Sequence, residues 1–236
     1  MSFKLGEIEV EVIHKNIKNV HLSVYPPDGR VRLAAPRHIE EEHLRLFALD
    51  KLVWIKSQQQ KFRDQEREPQ REYIPRESHY VWGNRYLMEI EHKQGTPCVR
   101  YGFATLILTV PEDMDAEARG GVMAAWYRDQ IREKLPGLLA TWVTRMEVPK
   151  PRVLVQRMKT RWGSCKQDTA IIHLNTDLAR KPAECLEYLL VHELAHLLEH
   201  THNARFVGIM DYHLPNWRMY RQALNTAPLA HVNWDY

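Results

Sequence analysis

Val191 to His202 reads VHELAHLLEHTH, and within it His192, Glu193 and His196 have the HExxH spacing, with further histidines at positions 200 and 202. Residues four apart on an α-helix share a face, so His192 and His196 can grip one metal ion. Glu193, beside the first of them, can reach a water bound to that ion. These are the minimum parts of a zinc-activated water: imidazole ligands and a general base. Thirteen histidines in 236 residues make a chance HExxH an event on the order of a few per cent. The flanks argue against chance. Leu186, Leu189, Leu190, Val191, Leu194, Ala195, Leu197 and Leu198 make the run apolar nearly all the way round, the pattern of a buried helix. Burying two imidazoles and a carboxylate there is costly unless they are paired or hold a metal.

A third ligand is needed, and His200 and His202 are the candidates. The Cα of His200 lies eight residues from that of His192, about 12 Å along a continuous helix axis. Zinc–nitrogen bonds of about 2.0–2.1 Å do not collect three imidazoles strung over that length. His202 escapes the difficulty if the helix ends near Glu199 to Thr201 and the chain turns back. Thr201 and Asn203 suit such an ending, and Asn203 can cap a new helix starting at Ala204. His202 is therefore the preferred ligand, and His200 reads as a solvated side chain near a helix C-terminus.

HELAHLLEHTHNARF resembles the HExxH-x5-H-x3-F block of the YgjP-like metallopeptidases, relatives of the SprT-like and other small gluzincin-type proteases. RMKTRWGSCKQDTAIIHLNTDLARKP, from Arg157 to Pro182, is similar to that family's K-x-RWGSC loop and the following strand with its Leu-Asn pair. Leu214, Pro215, Trp217, Tyr220, Arg221 and Leu224 resemble its closing helix. The blocks cover most of residues 150–225 in the right order. The N-terminal half is similar only in outline, with a turn at Asp28-Gly29 and a strand pair around Gly83. The resemblance implies a zinc site of His192, His196 and His202 with Glu193 as general base. It leaves the substrate open.

Composition fits a water-soluble chain. At 44% hydrophobic and 27% charged, 236 residues can bury one or two cores. There is no apolar run of about 18 residues, so no membrane span is expected, and the N-terminus lacks the apolar centre of a secretory signal. Cys98, Cys165 and Cys185 are odd in number and widely spaced, which implies no disulfide framework and points to a reducing cytoplasm. A net charge of +3 does not demand a polyanionic partner.

The expected fold class is α+β: a β-rich N-terminal region with one helix over residues 1–112, then a zincin-like metal-dependent hydrolase domain over 113–236. Residues 3–35 alternate as strands, with a turn at Pro26-Pro27-Asp28-Gly29. Residues 39–68 read as one helix, on Leu44, Phe47, Leu52, Ile55 and Phe62, with a polar end over 58–71. Strands follow over 80–91 and 105–110, parted by a loop at 94–97. Residues 115–145 read as helical, with a break or kink at Pro136-Gly137. Val153 and Val155 mark one strand, and Ile171, Ile172 and Leu174 another, the candidate edge for an extended peptide. Pro182 fits the first turn of the HExxH helix and Glu184 its positive N-terminus.

Arg157, Lys159, Arg161 and Trp162 are candidate substrate-binding residues. With Arg152 and Lys166 they make the RWGSC loop basic, suited to a carboxylate, a phosphate or a nucleic-acid backbone. The same residues also suit a structural loop in which Trp162 packs and Gly163 turns. Cys165 reads as a small buried hydrophobe. An Arg of this loop, Tyr212 or His213 could stabilise an oxyanion, and Glu187, Glu199 or Asp211 could orient the imidazoles. Three functions follow: a zinc metallopeptidase on peptides or a restricted protein target, a nucleoside triphosphate pyrophosphatase on the same site, or a zinc-stabilised accessory module of a DNA-processing system. Glu193 counts against the third, because a purely structural site needs no base.

Overall fold

A computed structural model describes residues 2–25, 29–64, 71–158 and 161–226. The expected turn residues Pro26, Pro27 and Asp28, most of the polar stretch after Asp64, the side chain of Phe62, and Lys159 lie outside them. The chain is a mixed α+β protein in two compact units, Met1–Arg67 and Glu68–Tyr236.

The first unit holds β1 (Ser2–Leu5), β2 (Ile8–Lys15), β3 (His21–Tyr25) and β4 (Arg30–Pro36) in the order β1-β2-β4-β3, with β2 and β4 parallel. Alternation puts Val10 and Val12 of β2 and Val31, Leu33 and Ala35 of β4 on one buried face. That face packs on Leu44 and Ala48 of α1 (Glu41–Asp50) and Ile55 of α2 (Leu52–Asp64). The single helix expected over 39–68 is thus two. Lys51, with φ −94° and ψ 7°, interrupts it, so that both helices turn an apolar residue to one small sheet.

The second unit begins with β5 (Ser78–Val81), β6 (Asn84–His92), β7 (Cys98–Tyr101) and β8 (Thr105–Val110), ordered β5-β6-β8-β7. The strand pair expected around Gly83 is the β5–β6 hairpin, which splits residues 80–91, and the short strand β7 is an element that the sequence pattern does not mark. Trp82 and Gly83 make that hairpin turn with φ of 49° and 81°, the paired positive values a two-residue turn needs. A Cβ on Gly83 would come within 3.0 Å of Pro182 Cγ, and the Trp82 N–H donates to the Ala179 carbonyl at 2.8 Å.

α3 (Ala116–Met146) starts at Asp115, whose carboxylate accepts from the Ala118 N–H at 2.7 Å. It runs through Pro136 and Gly137 as one helix, so the break or kink expected there is not a break. Buried Leu135, Leu139 and Trp142 hold both halves to the same core, which offsets the hydrogen bond that proline removes. β9 (Arg152–Gln156), β10 (Gly163–Lys166) and β11 (Ile171–Asn175) form a sheet in the order β10-β11-β9, followed by a 3-10 turn over Thr176–Arg180. α4 (Ala183–Ala195), α5 (Ala204–His213) and α6 (Trp217–Thr226) complete the unit.

The expected boundary after residue 112 falls instead at 67/68. The reason is one continuous core: Val81, Met88, Leu106 and Leu108 of the β5–β8 sheet pack with Met123 and Ile131 of α3 and Leu186 and Leu190 of α4. Those strands cannot bury their apolar face without the helices that follow.

Candidate metal centre

α4 carries the HExxH motif at its C-terminal end. Leu186, Leu189, Leu190, Val191, Leu194 and Ala195 are each 5% exposed or less, so the helix is buried on nearly every side. Pro182 stands one residue earlier than expected, at the N-cap position with ψ 142°, and Glu184 lies in the first turn. The helix ends at His196. Leu197 and Leu198 donate to the carbonyls of Leu194 and Ala195 at 2.9 and 3.0 Å, a tightened last turn. Thr201 then bonds the Glu199 carboxylate through its N–H at 3.2 Å, and Asn203 Oδ1 accepts from the Phe206 N–H at 3.0 Å to cap α5. His202 sits at the bend between the two helices.

This bend brings three imidazoles together. One ligand atom from each of His192, His196 and His202 lies within 4.8 Å of the others. His192 Nε2 and His202 Nε2 face each other at 3.1 Å. Two ligands of a tetrahedral ion with bonds of about 2.0–2.1 Å stand about 3.3 Å apart. Facing lone pairs repel unless a proton or cation lies between them, so the donor set fits a metal. His196 Nδ1 lies 3.1 Å from the Glu199 carbonyl, and donation there leaves Nε2 with its lone pair. The side-chain amide of Gln167 donates to the His196 carbonyl. Phe206, fully buried, touches all three rings with centroids 5.0, 4.8 and 4.7 Å away. Burial drives the His192 imidazole down to about 3, helped by His196 and His202. The ring is neutral at pH 7, the state a ligand needs. His200 is exposed and stands outside the cluster.

Glu193 is 4% exposed, and burial pushes its carboxyl up to about 8 against the opposing charge of Arg161. Gly163, first residue of β10, approaches that carboxylate closely. The RWGSC loop is therefore part of the wall of the site. Arg157 and Arg161 are exposed, whereas Trp162 is half-buried against the core with Lys181 Nζ 5.5 Å from its ring. Cys165 is partly buried, and desolvation pushes its thiol up to about 11. It is a protonated packing residue and does not join the histidine group among the described residues.

Asn175 holds this loop in place and was legible only as half of the Leu-Asn pair. It is 5% exposed, and its amide donates to the carbonyls of Met158 and Arg161 at 2.8 and 2.9 Å. Its oxygen accepts from Asp177 N at 3.2 Å. Asn175→Ala would leave these groups unpaired. We expect a loss of about 2–4 kcal/mol in urea unfolding, with faster proteolytic nicking near residues 157–162. An unchanged midpoint would show that the loop does not depend on this side chain.

Other expectations need correction. β11 lies at the centre of its sheet, so the outer strand beside α4 is β10, not residues 171–174. The three candidate orienting carboxylates are engaged elsewhere: Glu187 accepts from Trp142 Nε1 at 2.9 Å, Glu199 from Thr201, and Asp211 from Trp217 Nε1 at 2.7 Å and from Arg218. Glu199 serves His196 through its carbonyl instead. His192 Nδ1 is buried with no hydrogen-bond partner among the described residues. Tyr212 is 81% exposed and packs edge-on against His213. Tyr188 was not singled out in the sequence. It is buried edge-on to His192, with ring centroids 5.9 Å apart, and stacks on Trp217.

Three converging imidazoles, with the buried Glu193 following the first of them in the helix, are the equipment of a metal-dependent hydrolase. The chain matches the family described as YgjP-like, metallopeptidase domain, over residues 18–227, and it belongs to that family. No curated protein matches it significantly. Among solved structures, it is similar to the metallopeptidase zymogen of Pyrococcus abyssi abylysin, with 21% identity and a TM-score of 0.36, over 38% of this chain and 90% of that one. It is also similar to the zymogen of Methanocaldococcus jannaschii jannalysin, with 16% identity and a TM-score of 0.35, over 38% of this chain and 91% of that one. Among the described residues no helix is long and apolar enough to cross a membrane.

Proposed function

We propose that this zincin-like unit is a zinc metallopeptidase in which His192, His196 and His202 hold the ion and Glu193 is the general base. The observation that carries the reading is the convergence of three imidazoles at the end of a helix in which Glu193, the residue after the first of them, is buried. A zinc ion held there would polarise a substrate carbonyl and lower the pKa of a bound water to about 7. Glu193 would take the proton from the attacking water and return it to the leaving amine, as a buried carboxylate following a metal-binding histidine can. β10 ends its sheet beside α4, so an extended peptide can add to its outer edge and lie along the site. The exposed Arg157 and Arg161 favour acidic groups in what binds, and the same charges support the triphosphate reading.

Purified protein with zinc, given a quenched-fluorescent peptide library and, separately, nucleoside triphosphates, separates these functions. Cleavage of peptides that chelation abolishes and zinc restores supports the peptidase. Pyrophosphate release without peptide cleavage replaces it with the pyrophosphatase. Neither activity, with a Glu193→Gln protein that retains its cellular effect, leaves the accessory module.

A further inference from the structure

The contact between β10 and Glu193 carries a consequence for how the carboxylate is held. A Cβ built on Gly163 would stand 2.6 Å from Glu193 Oε1 and 3.2 Å from its Cδ. It would also lie 3.1 Å from the His173 carbonyl of β11. Gly163 has ordinary strand geometry and pairs with Leu174, so no positive φ explains a glycine here. The residue is small because the carboxylate occupies the space that a side chain would take. The His173 carbonyl belongs to the central strand and cannot retreat far. The carboxylate is the end of a flexible side chain and is what would yield.

We infer that Gly163 is a positioning residue: its missing side chain forms a notch in β10 that sets where the Glu193 carboxylate stands relative to the three imidazoles. The inference rests on the reading of Glu193 as general base, and it accounts for glycine in the RWGSC loop by a need of the site. The loop therefore contributes to the chemistry through an absence of atoms, while its flanking Trp162 and Cys165 pack on the core. A displacement of about 1 Å at a reacting group can cost on the order of a hundredfold in rate.

The test is a double-mutant cycle between positions 163 and 193, read by turnover of the best-cleaved library peptide with zinc and by thermal unfolding of the metal-free protein. Gly163→Ala should lower kcat about a hundredfold while KM moves by less than about threefold. Glu193→Asp, one methylene shorter, should lower kcat in the otherwise native protein. In the Gly163→Ala background the same change should instead raise kcat about tenfold, because the shorter side chain clears the new methyl. In the metal-free protein, Glu193→Asp should recover most of the thermal midpoint lost to Gly163→Ala. Glu193→Gln, of native length, should leave that loss undiminished. Independent effects at the two positions in the thermal cycle would overturn the inference, whatever the activity. Thermal coupling without turnover of any peptide would keep the notch and discard the peptidase.

Discussion

His192→Ala and His196→Ala proteins should emerge from zinc dialysis with no bound metal. His202→Ala should bind zinc weakly, and His200→Ala should bind it as the native protein does. The first two remove ligands fixed by a buried helix, and no neighbouring side chain can take their place: among the described residues the only group of three metal-ligating side chains within reach of one another is His192, His196 and His202. Zinc held by a full protein ligand set is worth about 10–16 kcal/mol, so each ligand accounts for several, on the order of 10²–10⁴ in affinity. His202 is more exposed and stands on a bend, so water can occupy its position at lower cost. His200 follows the tight turn after α4 and is excluded from the cluster by it. Elemental analysis and competition with a chromogenic chelator read all four variants. Native-like stoichiometry in His202→Ala with loss in His200→Ala would reassign the third ligand and undo the account of the bend.

Local features of this site are legible in the sequence, and meetings of distant segments are not. The reversal after His196 was legible because capping is local: Asn203 bonds an N–H three residues on, within reach of the same short stretch. The third ligand follows from it. By contrast, the glycine notch and the Asn175 clamp are meetings between segments far apart in sequence. Gly163 meets a carboxylate thirty residues later, and Asn175 reaches back to Met158 and Arg161. Neither leaves a periodic trace. The place of β11 is not legible in the sequence for a similar reason. Its apolar residues 171, 172 and 174 suit an edge or a centre equally, and only the pairing with both β9 and β10 decides. A change from strands to helices near residue 112 does not mark the edge of a compact unit. The β5–β8 sheet ends before residue 112, but its buried face is completed by α3 and α4. Pro136 is the same lesson within one helix: local propensity argues for a break, and packing of Leu135, Leu139 and Trp142 overrides it.

Glu193→Gln should lower peptide turnover by about 10²–10⁴, the range a positioned general base contributes, while zinc stoichiometry stays native. The amide has the shape of the carboxylate and makes no claim on the ion, so a loss of metal in this variant would mean that Glu193 is itself a ligand. The same substitution should have the opposite effect on stability once metal is removed. The native carboxyl is raised from the ordinary value near 4.5 to about 8 by burial, so in the metal-free folded state it keeps a proton that the unfolded chain has released. Between those two values the folded state binds more protons than the unfolded one, and stability falls as pH rises. Glutamine carries no such charge. The metal-free variant should therefore match the native protein near pH 4 and exceed it by a few kcal/mol by pH 8 or above. His192, held down near 3, makes both proteins gain stability as pH rises from about 3 to 6.5, and it cancels in the difference between them. Urea unfolding of the two proteins in chelator at several pH values reads this difference. If the curves stay parallel from pH 4 to 9, the carboxyl is not held in a dry site.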